Sequence, residues 1–280
     1  MSCAETEAGC PACLPADADW QVQQSFQVTR IVGEQSVDGV DSVVEEVPVA
    51  LVYNGVSHAV MLASPADLED FAVGFSLAEG IVAGRSEIFD IEIMPLARGI
   101  EARIDIAGDC FARLKERRRN LAGRTGCGLC GVDSIEQAVR PVAPVPRSGV
   151  PPSATVLAAL AALPDLQTLH RSTGGCHAAA WADREGRIVA VREDVGRHNA
   201  LDKLIGALTR AGIGADSGFA LVTSRASVEM VQKIAAFGAS TLVAVSAPTA
   251  LAIRQAREAG IALFGFARPG RITCYNLPTD

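Results

Sequence analysis

From Phe219 onward the chain switches repeatedly between two hydrophobic periods, and this pattern limits the fold more than any other feature. Phe219 to Val222, Thr241 to Val245 and Ile261 to Phe266 are short apolar runs. Between them, Val228 to Phe237 and Thr249 to Ala259 repeat their apolar residues at helical spacing. Short apolar strands separated by amphipathic helices predict a largely parallel sheet covered on both faces. Upstream, Cys176 to Trp181 and Arg187 to Arg192 read as strands joined at Asp183-Arg184-Glu185-Gly186. Asn199 to Leu208 carries Leu201, Leu204, Ile205 and Leu208 on one helical stripe, and Thr155 to Leu163 reads as a short helix. Residues 153–280 are therefore expected to form an α/β domain.

The preceding residues follow a different plan. Phe26 to Ile31 alternates as a strand does, and Glu45 to Tyr53 is β-rich. Asn54-Gly55 then marks a hairpin before His58 to Leu62. A helix is predicted from Ser64-Pro65 through Leu68, Phe71, Phe75 and Ala78 to a stop at Gly80. Ile88 to Pro95 and Gly99 to Ala107 read as strands, and Phe111 to Leu121 as a helix. This is an α+β domain over residues 21–140, ending in a C-x-x-C loop. Pro141, Pro144, Pro146, Pro151 and Pro152 make 141–152 a linker. Residues 1–20, with Cys3, Cys10 and Cys13, read as a disordered tail.

Composition narrows the function. The chain has 280 residues, is 49% hydrophobic and carries a net charge of −7, so a nucleic-acid binder is disfavoured. No apolar run approaches the roughly 20 residues that span a bilayer, and the acidic N-terminus does not read as a secretory signal. A cytoplasmic protein is expected. Its 8 cysteines are then more naturally reduced, metal-binding or reactive than paired.

Two of those cysteines stand in a glycine frame, Gly126-Cys127-Gly128-Leu129-Cys130-Gly131. Arg113, Lys115, Arg117, Arg118, Arg119 and Arg124 precede it, and Asp133-Ser134-Ile135-Glu136-Gln137 follows as a capping box. Positive charge on one side and a helix N-terminus on the other lower a thiol pKa from about 8.5 into the range of roughly 3.5–7.5. C-x-x-C alone allows a zinc half-site, a thioredoxin-like pair or a persulfide carrier. The glycines, the arginines and a nucleotide-like site downstream favour the third.

That downstream site is inferred from position. In such sheets ligands bind beyond the carboxyl ends of the strands. Three segments fall there: Thr223-Ser224-Arg225-Ala226-Ser227, Ser246-Ala247-Pro248-Thr249 and Phe266-Ala267-Arg268-Pro269-Gly270-Arg271. Arg225, Ser227 and free helix amides suit a phosphate, although a serine there also serves as a plain helix cap. Arg268 and Arg271 offer donor forks for phosphate or base edges, and Phe266 can pack on an aromatic ring. Thr173 to Ala180 and Glu193 to Lys203 are the other dense stretches, and they contain His177 and His198. Each histidine alone is more simply structural. The residues argue against a zinc deaminase, because His177 is followed by Ala178 and Ala179 where that chemistry needs a glutamate two residues on.

With these residues the chain resembles the FdhD family, accessory sulfurtransferases of formate dehydrogenase. The resemblance rests on Gly123 to Gly131, Gly174 to Ala180, Glu193 to Lys203 and Phe266 to Arg271, and covers about residue 22 to the C-terminus. It implies a three-layer αβα, cytidine-deaminase-like C-terminal domain and a homodimer. It also implies sulfane sulfur loaded as a persulfide on Cys127 by a cysteine desulfurase, with Cys130 as partner cysteine. The sulfur would pass to the molybdenum cofactor, Mo-bis(molybdopterin guanine dinucleotide), bound as substrate for delivery to formate dehydrogenase. A guanine nucleotide would be a partial mimic. Phe266, Ala267, Arg268, Pro269, Gly270 and Arg271 match the cofactor-binding turn, while Arg225 and Ser227 are assigned on physical grounds. The competing readings are a zinc-binding scaffold or chaperone using the C-x-x-C with Cys176 and His177, and a nucleotide-using enzyme.

Overall fold

The computed structural model describes residues 20–122 and 141–278. The N-terminal tail, Cys127, Cys130 and the capping box at 133–137 lie outside the described residues.

The N-terminal part is β-rich. Strands β1 (Gln23–Val32) and β2 (Gln35–Val44) form an antiparallel ribbon with unbroken register from Gln23↔Val44 to Val32↔Gln35. A second sheet holds β3 (Val47–Tyr53), β4 (Val56–Ala63), β5 (Ile88–Leu96) and β6 (Gly99–Ile106) in the order β4-β3-β6-β5. The β3–β4 hairpin turns through Asn54 at φ 45° and Gly55 at φ 79°, the two positive values that a two-residue turn of this hand requires. Strict alternation sends Val47, Val49, Leu51 and Tyr53 to one face of β3, and Ile100, Ala102, Ile104 and Ile106 to the same face of β6. Helices α1 (Leu68–Ala78) and α2 (Gly108–Ala122) close that core with Phe71, Ala72, Phe75, Cys110 and Leu114.

Helix α1 begins three residues later than the serine–proline signal predicts. Asp67 is left-handed at φ 53°, and Ser64 does not cap the helix. Its backbone N–H goes instead to Asp194, and its hydroxyl accepts from Val195.

The C-terminal part is a three-layer α/β domain. Its elements are α3 (Ser153–Leu166), α4 (Thr168–Thr173), β7 (His177–Asp183), β8 (Ile188–Asp194), α5 (Arg197–Arg210) and β9 (Gly218–Val222). They continue with α6 (Val228–Phe237), β10 (Thr241–Ala244), α7 (Ala250–Ala259), β11 (Ala262–Arg268) and β12 (Arg271–Asn276). The sheet order is β12-β11-β10-β9-β7-β8. Only β9-β10-β11 is parallel; β7, β8 and β12 join antiparallel, so the sheet is mixed where the sequence suggested a largely parallel one. The cause is connection length. Two crossovers through α6 and α7 fit parallel pairs, whereas tight turns at 184–187 and 269–270 permit only hairpins.

Alternation along β9 divides the domain into two cores. Phe219 and Leu221 meet Val156, Leu160 and Leu163 of α3, while Ala220 and Val222 meet Leu201, Leu204, Met230 and Ile234. The proline-rich span 141–152 forms no helix or strand, yet it is fastened to this domain. Val145 is buried, and its N–H donates to the Ala259 carbonyl at 2.9 Å.

The two parts meet along α1 and α5, where glycine meets backbone. A Cβ on Gly74 would stand 1.7 Å from the Asp202 carbonyl oxygen, and one on Gly206 1.8 Å from that of Asp70. Beside this crossing the buried Asp70 carboxylate pairs with Arg192 and Arg210.

Candidate functional site at the carboxyl edge of the mixed sheet

The hairpin pairing of β7 brings its amino end alongside the carboxyl ends of β8, β9, β10 and β11. A cavity of about 560 Å³ opens at this edge. Its polar wall comes from Cys176 and His177 entering β7, Thr223 after β9, Arg268 ending β11, and His170 and Gln167 around α4. Leu160, Leu163, Val195, Val245 and Ala267 supply an apolar floor. A largely apolar hollow with a few convergent polar groups is the usual form of a small-molecule site.

Each polar group is held by local bonding. Glu193, at the end of β8, accepts from the backbone N–H groups of Leu169 and His170, both at 2.8 Å, and thereby caps the six-residue α4 that carries His170. The helix stops at Gly174, left-handed at φ 68°. Thr223 Oγ1 accepts from Ala178 N at 2.9 Å and fixes the start of β7. At β11 the register breaks between Gly265 and Arg268. Phe266 sits there at φ 46°, a left-handed conformation that a bulky residue adopts only under constraint, and its N–H donates to Ser246 at 3.1 Å. The strained residue belongs to the turn that the sequence marked for a ligand.

Beneath the cavity lies a buried polar network. Lys203 pairs with Asp194 at 2.7 Å, both fully buried, and donates to the Ser64 carbonyl at 2.9 Å. Asn199 donates to Asp194 and to the Leu62 carbonyl. The Ser64 hydroxyl hydrogen-bonds the sulfur of Cys176 and partly offsets the forces that raise its pKa. Burial, with Glu193 and Asp194 beside it, pushes that thiol up to about 11. Burial, helped by Arg197 and His170, holds the His177 imidazole below its ordinary value. At neutral pH the wall therefore presents a neutral thiol and a neutral ring.

The structure gathers Ala267, Arg268 and Pro269 with Cys176 and His177. It does not bring Phe266, Gly270, Arg271, Arg225 or Ser227 into the cavity lining. Arg225 is exposed on the loop after β9, and the Ser227 hydroxyl donates to Glu229 at 3.1 Å without capping α6. Thr249 does cap α7, accepting from Ala252 at 3.2 Å. His198 pairs with Glu229 at 2.9 Å, away from the lining. Sequence reasoning missed His170, which lies in a short helix with no periodic signal, and Gln167, which joins that helix to α3. Of the basic run, Arg113 bonds Asp109 and Cys110, and Arg117 donates to the Glu79 carbonyl.

The FdhD/NarQ family model matches residues 44–279. The chain belongs to this family. It is 53% identical over 265 residues to the sulfur carrier protein FdhD of Bordetella bronchiseptica, covering 94% of this chain and 96% of that one. It is likewise 53% identical over 278 residues to the FdhD sulfur carrier of Cupriavidus necator, covering 99% and 96%. Family membership brings with it a sulfurtransferase role. A crystal structure of a candidate formate dehydrogenase accessory protein from Desulfotalea psychrophila superposes with a TM-score of 0.74 at 21% identity, over 92% of this chain and 98% of that one, and so shares the fold.

Proposed function

We propose that this family member carries sulfane sulfur as a persulfide on Cys127 and delivers it to the molybdenum cofactor, Mo-bis(molybdopterin guanine dinucleotide), bound as substrate at the carboxyl-edge cavity. The Cys127 thiolate attacks the terminal sulfur of a cysteine desulfurase persulfide. One S–S bond forms as another breaks, and the desulfurase leaves as thiolate. Cys130 is the partner cysteine, and formate dehydrogenase is the recipient. The protein is taken as a cytoplasmic homodimer. The β1–β2 ribbon, with Ile31 at 73% and Val32 at 75% exposure, is the apolar surface such a dimer would cover.

The observation that carries the reading is the cavity itself. It brings Ala267, Arg268 and Pro269 of the 266–271 turn beside Cys176 and His177, two segments that carry the family resemblance. Arg268 and Arg271 suit the phosphates of the guanine dinucleotide, and Phe266 suits its base. Arg225 and Ser227, on the next loop of the same edge, are assigned to outer phosphates.

The decisive experiment incubates the chain with a desulfurase and cysteine and weighs the Cys127 peptide. A gain of one sulfur atom supports the carrier. No gain, or full formate dehydrogenase activity in cells carrying Cys127→Ser, overturns it. The zinc scaffold predicts instead one zinc per chain, lost on the same substitution. Among the described residues, a separate grouping of three ligand-type side chains is Glu87, Asp109 and Cys110, where Arg113 already donates to Asp109 and Cys110.

A further inference from the structure

Among the described residues, the four-stranded sheet buries one face under α1 and α2, while the other is exposed or half-buried apart from the buried Val52. Register places Pro48, Ala50 and Val52 of β3 on that open face, with Leu62 and Val60 of β4 on one side and Glu101 and Arg103 of β6 on the other. Glu92 and Asp90 of β5 follow, opposite Arg103 and Asp105. A hollow of about 460 Å³ runs across the acidic half, lined by Asp90, Glu92, Glu101, Asp105, Arg103 and Ser57.

Two features are unusual for a plain solvated face. Asp90 and Asp105 stand directly opposite each other on neighbouring strands, a repulsive arrangement, and neither has an ion-pair partner among the described residues. Arg103, the single cation lining the hollow among the described residues, is already shared by Glu92 and Glu101. The apolar half is exposed as well, with Val60 at 61% and Leu62 at 55%.

We infer that this sheet face is a docking surface for a lysine- and arginine-rich segment of a partner protein. The sign of the charge excludes nucleic acid and anionic lipid. Long basic side chains match both halves at once: their heads reach the carboxylates while their methylene stems lie on Val60, Ala50 and Leu62. A second copy of the chain fits poorly through its ribbon, whose loop and second strand carry Glu34, Asp38 and Asp41. The surface is separate from the cavity described above, and this assignment does not depend on sulfur transfer.

The test uses the full chain and a fluorescein-labelled decapeptide of alternating arginine and leucine, followed by anisotropy. Neutralising Asp90→Asn, Glu92→Gln and Asp105→Asn together should raise the Kd by at least about tenfold, and Asp90→Asn alone by about threefold. Neutralising Glu34→Gln, Glu46→Gln and Glu258→Gln, which changes net charge equally, should leave it unmoved. Equal weakening by both triple variants would mean generic charge attraction and overturn the docking surface. So would absence of binding, displacement of the peptide by millimolar magnesium alone, or a change in oligomeric state in the first triple variant. A thermal melt accompanies each variant. Relief of the Asp90–Asp105 repulsion should hold or raise the melting point, so a lost fold cannot imitate lost binding.

Discussion

Cys176 shows how enclosure sets the behaviour of a sulfur atom. Held between Glu193 and Asp194 and removed from water, it keeps its proton up to about pH 11. Its thiolate fraction at pH 7 is therefore about one in ten thousand, and only the thiolate reacts. Iodoacetamide labelling, followed by peptide mass, should rise about tenfold per pH unit through the alkaline range. Glu193→Gln should shift that profile to lower pH, because one anion is removed. His177 behaves in the opposite sense. Its ring is held below the usual imidazole value by burial, Arg197 and His170. As pH falls through the ordinary histidine range near 6.5, the unfolded chain takes up a proton that the folded chain refuses, so stability is lost on acidification. In His177→Gln the fall in melting temperature between pH 7 and pH 5 should be smaller than in the parent.

At the level of elements, the crossing of α1 and α5 depends on the absence of two side chains. Gly206→Ala would drive a methyl into the Asp70 carbonyl, and a loss of about 3 kcal/mol is expected in urea denaturation. Gly108→Ala, at the start of α2 with nothing within 4 Å of the added carbon, should be neutral or slightly stabilising. Position by position, the sequence did not disclose this contact. A glycine inside a helical pattern looks the same whether it faces water or a second helix. The succession β9-α6-β10-α7-β11 was legible because its period changes cleanly from strand to helix and back. Strand β2 was not: Val37, Val40 and Val43 recur every third residue and so spread over both faces of the ribbon. Strand β12 was hidden for another reason. Its residues are only half-buried, and pairing with β11 defines it more than composition does. The turns at the sheet edge were legible from their glycines, prolines and arginines, whereas the network beneath them depends on partners more than a hundred residues apart.

For the molecule as a whole, that network joins the two parts. Leu62, at the end of β4, and Ser64, just beyond it, belong to the N-terminal part, and Asp194, Asn199 and Lys203 to the C-terminal domain. Lys203→Met would leave the Asp194 carboxylate buried with only amide donors, at a cost of about 3–5 kcal/mol. Because the bonds cross the boundary, unfolding should remain one cooperative transition followed equally by tryptophan fluorescence and circular dichroism. Two separated transitions in the parent chain would show that the halves melt independently. Ser64 is also the residue whose hydroxyl reaches Cys176 in the cavity wall. A chimera that took its N-terminal half from one distant relative and its C-terminal half from another would therefore inherit mismatched seams under the pocket.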